Sequence, residues 1–148
     1  MRLLLLISLF FIGKGMDAPP KPSKATHSLT VKVHNLRNSE ERIRYNIYNR
    51  EDVFPDEDFE RICDKGYGPI GRKNASFTFK GLAERRYAVN ILHDENKNDR
   101  IDKGYFLPVE GIGFSNYDSF GLMNRPAFNK ASFYLNSDTT IRVKTIYL

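Results

Sequence analysis

The sequence has a single cysteine, no tryptophan and no apolar run long enough to cross a bilayer. One cysteine, Cys63, cannot close a disulfide within the chain, so packing and hydrogen bonding must hold the fold. Beside Ile62 it reads as a small buried residue rather than a nucleophile. The lack of Trp counts modestly against a sugar-stacking surface, which favours large flat rings. The longest apolar run, Leu3 to Ile12, has ten residues, where a membrane span needs about 20. No stretch keeps helical periodicity beyond two turns, and no repeat of solenoid length is present.

What is present suffices for one domain. The 148 residues are 41% hydrophobic and 13% aromatic, all of the latter Phe and Tyr, enough to offset the entropy of ordering the chain. Arg2, the apolar run and the small residues Gly13 and Gly15 together resemble an export signal over residues 1–15. No cysteine stands directly after the run, which argues against a lipid anchor. Residues 16–27, rich in Pro, Ser and Lys, read as a flexible leader, and residues 28–148 as a single domain. The mature chain is then expected to be secreted or periplasmic, monomeric and without a transmembrane segment. Cleavage removes two cations, Arg2 and Lys14, and no acid, taking the net charge from +5 to +3. The remaining Lys and Arg are scattered with no aromatic interleaving, so nucleic acid is a poor partner.

Alternation of period two dominates the rest. Leu29, Val31 and Val33 share one strand face, Ile43, Tyr45 and Ile47 a second, and Phe77 and Phe79 a third. Tyr87, Val89 and Ile91 follow, then Phe133 with Leu135 and Ile141 with Val143. The stretch DEDFERI could make one or two helical turns, ended by glycines at 66, 68 and 71. The pattern predicts an all-β, antiparallel β-sandwich of about seven short strands, transthyretin-like or immunoglobulin-like, with one long ordered loop. That loop, from Asp94 to about Pro126, exceeds the usual limit of about 12–15 residues and is expected to be functional or held by something.

The loop opens with oxygen donors at alternate positions: Asp94, Asn96, Asn98, the backbone carbonyl of Arg100, then Asp102. Spacing of 1, 3, 5, 7 and 9 lets carboxylate and amide oxygens wrap a hard cation while the side chains between them point away. Asp99 stands where such loops carry Gly, though Asp tolerates the left-handed conformation better than most residues. Position 12 is Tyr105, so the usual bidentate Glu is missing, and Glu110 could replace it if the loop folds back. The expectation is weak calcium binding; the rival is a polar turn in which Asp and Asn close on their own backbone.

Two further classes remain open. A hydrolase would use His93, Glu110 or Ser115, but Ser115 lacks a nucleophile-elbow context, and His93 reads better as a strand-end ring bonded to loop backbone. A carbohydrate-binding module would display Tyr105, Phe114 or Tyr117.

The segment GLAERRYAVNILHDENKNDRIDKGYFLPVEGIGFSN, followed by RPAFNKASFYL, resembles a secreted bacterial family catalogued as domain of unknown function 2141. His93 to Asn96 with Asn98 and Asp102, Pro108 to Asn116, and Pro126 to Phe128 carry the likeness, which covers about residues 28–148. It implies an exported β-sandwich similar to transthyretin-like or carboxypeptidase-regulatory modules, with no assigned enzyme activity. The function expected of the chain is then non-catalytic binding or scaffolding at the cell envelope, with an unknown protein or glycan as partner. Arg86 stands where such domains commonly have Gly, which implies a different or strained turn there.

Overall fold

The computed structural model describes residues 24–105 and 108–148. The expected signal segment and most of the leader lie outside the described residues. Eight strands form among those described: β1 (Thr26–His34), β2 (Arg42–Tyr48), β3 (Asp64–Pro69), β4 (Ala75–Ala83), β5 (Arg85–Asp94), β6 (Ile112–Phe114), β7 (Phe133–Leu135) and β8 (Thr139–Lys144). A single helical turn, α1 (Phe128–Ala131), precedes β7. β1 begins at Thr26, inside the stretch read as leader.

The strands make a two-sheet β-sandwich. One sheet has three strands in the order β4-β1-β8; the other runs β3-β2-β5-β6, with β7 also paired to β5. β6 and β7 share one edge of β5, opposite Asn90 to Leu92 and Arg85 to Tyr87 respectively. The pairing is antiparallel except between β1 and β8, which run parallel with Val31 opposite Ile141. Such a pair needs a crossover rather than a hairpin, and here the entire second sheet lies between them in the chain.

The period-two faces meet between the sheets as the sequence suggests. Leu29, Val31, Val33, Ile43, Tyr45, Ile47, Tyr87, Val89, Ile91 and Val143 are all buried there. Each such side chain stabilises the fold by roughly 1.5–3 kcal/mol relative to exposure. The opposite face of the larger sheet is covered as well. Segments 49–62 and 115–131 lie over it, packing Val53, Phe54, Tyr117 and Ala131 on Tyr48, Ala88 and Phe114, and Phe59 on Leu92 and Ile112. β2 and β5 are therefore buried on both faces.

Three local expectations change. DEDFERI forms no helix: the Asp56 carboxylate accepts the Arg61 N–H at 2.7 Å, and Phe59 sits at φ 55 in the left-handed region. A short 3-10 turn forms earlier, at Glu51–Val53. Gly66 and Gly68 lie inside β3 instead of ending an element. Arg86 needs no strained turn, because it lies within β5 and its guanidinium bonds Ser132 Oγ at 2.8 Å.

Candidate functional site

β5 delivers Asp94 to the start of the long loop with its carboxylate fully buried. One oxygen accepts the N–H of Asn98 at 3.0 Å; the other accepts the N–H of Asp99 at 3.3 Å and Arg42 Nε–H at 3.2 Å. Lys97 and Asp99 take left-handed φ values of 60 and 59, which bend the chain back on itself. Asp99 thus adopts the conformation expected at the glycine position. Asn96 Oδ1 accepts the Asn98 N–H at 3.0 Å, and Asn98 Oδ1 accepts the Arg100 N–H at 2.9 Å.

The same two amides reach a common acceptor. Asn96 Nδ2 donates to one Asp102 oxygen at 2.5 Å, and Asn98 Nδ2 donates to the other at 2.9 Å. Glu110 folds back as the sequence allowed. Its two oxygens accept the N–H groups of Glu95 at 3.0 Å and Asp102 at 3.3 Å. Burial pushes the Glu110 carboxyl up, against the opposing pull of those two donors. Among the described residues no group of three or more His, Cys, Asp or Glu side chains is arranged to hold a metal. The set at the loop mixes carboxylates with amides, all hard oxygen donors once the amides turn their oxygens inward.

Sequence reading missed the arginines that brace the loop. Arg42 bridges Asp94 and Asp99, the second at 2.9 Å, and stacks over Tyr67. Arg44 is buried, donates to the Asp99 carbonyl at 2.8 Å and lies over Phe59. From Arg44 a polar ladder crosses the sheet through Asn46 and Asn90 to the carbonyl of Gly113. Arg37 and Asn38 hold Glu95 from the other side, and the Arg37 hydrogen bonds draw the Glu95 carboxyl down. Lys97 points away and pairs with Glu41. Alternating charges in RIRYN were the available signal, but they read equally well as a solvated face.

His93, Glu110 and Ser115 do not assemble. His93 is fully buried between the sheets, with Nδ1 2.8 Å from the Tyr147 hydroxyl and Nε2 3.0 Å from the Glu40 carbonyl. A carbonyl only accepts, so Nε2 carries a hydrogen, as the strand-end reading requires. Ser115 is buried near Val89, four residues back along β5, and donates to the Ala131 carbonyl at 2.7 Å. Phe114 and Tyr117, the other candidate sugar-stacking rings, are buried in the outer apolar cluster, whereas Tyr105 is exposed. Cys63 is exposed rather than buried, with Sγ 3.2 Å from Asn49 Nδ2. Local desolvation, then the Asp64 charge, pushes its thiol up.

The family model described as "Uncharacterized protein conserved in bacteria (DUF2141)" matches residues 31–142. The chain belongs to this family. The matched span runs from the middle of β1 into β8 and contains the whole 94–110 arrangement. No curated protein and no solved structure matches the chain. No helix among the described residues is long and apolar enough to cross a membrane.

Proposed function

We propose that the protein is an exported, non-catalytic β-sandwich module that binds or scaffolds at the cell envelope, with its Asp94 to Asp102 loop stabilised by a weakly held calcium ion. The observation that carries this reading is the convergence of Asn96 and Asn98 on the Asp102 carboxylate, with Glu110 closing on the Asp102 N–H behind it. A half-turn of each amide would present its oxygen where its nitrogen now donates. Asp94, Asn96, Asn98, the Arg100 carbonyl and Asp102 would then supply the ligands, with Glu110 able to complete them. Few carboxylates imply a dissociation constant of roughly 0.1–1 mM, as in extracellular modules.

The Asn98 and Arg100 N–H groups, already bonded to side chains of the loop, are what the polar-turn rival would emphasise. Titrating the purified protein with calcium in a calorimeter separates the two. Saturable heat that disappears in Asp94→Ala supports the ion, and no heat at millimolar calcium rejects it. The non-catalytic part is favoured by the structural engagement of both His93 and Ser115. Export rests on the N-terminal pattern. N-terminal sequencing of the secreted protein should begin near Met16, and intact Met1 in a soluble cytoplasmic fraction would reject it.

A further inference from the structure

The outer face of the three-stranded sheet is built differently from the rest of the surface. Val31, Val33 and Val143 point into the core, so the alternating positions of β1 and β8 point outward. The parallel register sets Lys32 directly opposite Arg142 and His34 opposite Lys144. On the other side of β1, Lys32 faces Ser76 and Thr30 faces Thr78, whose hydroxyls bond each other at 2.9 Å. None of Lys32, Arg142 and Lys144 meets a carboxylate among the described residues, and no outward position of β1, β4 or β8 is acidic. Like charges placed opposite each other cost stability.

An open recess of about 390 Å³ lies over the same place, lined by Lys32, His34, Asn74, Ser76 and Arg142. The turn ending at Asn74 adds exposed Arg72 and Lys73 beside it, neither paired among the described residues. We propose that this face docks on the phosphate headgroups of an anionic lipid bilayer, with Lys32 and Arg142 at its centre and Lys144, Arg72 and Lys73 around them. Charge complementarity selects the anion. The cations come from two neighbouring strands and a turn, an array that matches a surface carrying many headgroups. The outward positions of the three strands carry no aromatic or large apolar side chain, so contact stays at headgroup level without insertion. Each cation near such a surface strengthens binding roughly fivefold at physiological salt. The bilayer as partner rests on the envelope reading above; the cationic face itself does not.

Co-sedimentation of the full chain with phosphatidylglycerol–phosphatidylcholine vesicles, against pure phosphatidylcholine, is the test, run in chelator so that calcium plays no part. Binding to the anionic vesicles alone, falling about tenfold or more in Lys32→Gln/Arg142→Gln, is expected. The melting point of that variant should not drop, since the substitutions relieve a repulsion, and this keeps a loss of binding distinct from a loss of fold. The charge-matched Lys65→Gln/Lys130→Gln should bind nearly as well as wild type. No binding to anionic vesicles, or an equal loss in both variants, overturns the proposal. So does full displacement by millimolar inorganic phosphate but not by chloride of the same ionic strength, which marks a site for isolated phosphate. Failure of export would show instead in the N-terminal sequence, and failure of the calcium site in the calorimeter.

Discussion

Arg42 and Asp94 are register partners on β2 and β5, and their side chains meet at 3.2 Å where the strands hand over to the candidate loop. Asp94 is fully buried, so its charge depends on this guanidinium and on two backbone N–H groups. Breaking a buried pair from one side leaves an uncompensated charge.

Arg42→Ala should therefore cost about 2–4 kcal/mol of unfolding free energy in urea without calcium. Arg42→Ala/Asp94→Asn should recover part of that loss, because the orphaned charge goes with its partner. A cost within about 0.5 kcal/mol for Arg42→Ala would mean that the backbone donors alone satisfy Asp94.

Tyr45 is fully buried, its ring stacks on Phe77 with centroids 5.5 Å apart, and its hydroxyl has no hydrogen-bond partner among the described residues. Tyr45→Phe removes that polar atom and keeps the ring. Thermal denaturation should show it neutral or up to about 1 kcal/mol more stable. A clear loss of stability would reveal a partner for the hydroxyl.

Gly113 lies in β6 where β8 ends, and a Cβ there would fall 2.4 Å from the Lys144 carbonyl oxygen. Backbone cannot yield as a side-chain tip can, so Gly113→Ala should cost about 3 kcal/mol or more. Gly121, with open space around it, gives the control: Gly121→Ala should stay within about 0.5 kcal/mol.

Much of the fold was legible because one period decides it. Leu29, Val31 and Val33, or Tyr87, Val89 and Ile91, can share a face only in a strand, and these face the core. β3 was not legible because its buried positions are Gly66 and Gly68, a space already taken by the rings of Phe77 and Tyr45. β6 hides within the long loop for a related reason: three residues around Gly113 leave no alternation to read. In the site, Asp94, Asn96, Asn98 and Asp102 are close in sequence and their meeting could be anticipated. Arg42 and Arg44 are more than 50 residues away, joined to the loop through the β2–β5 register. Spacing alone carries no trace of such a contact.

Cys63 is exposed, but its thiol is pushed up, so little of it is thiolate at neutral pH. Maleimide labelling of the native protein should lag behind a free thiol near pH 7 and accelerate as the pH rises past the ordinary thiol value of about 8.5. Labelling as fast as free cysteine at pH 7 would contradict the assigned environment.

The ordering of the Asp94 to Asp102 loop by calcium is tested most directly by the melting point of the purified protein in chelator and in excess calcium. Calcium at about ten times its dissociation constant stabilises a folded state by roughly 1.4 kcal/mol. In a domain of this size that raises the melting point by about 3–6 °C. Asp94→Ala should abolish the rise, while Lys97→Ala, whose side chain pairs with Glu41 outside the loop, should keep it. A wild-type melting point unchanged by millimolar calcium would contradict the account and leave the loop a polar turn closed on its own backbone.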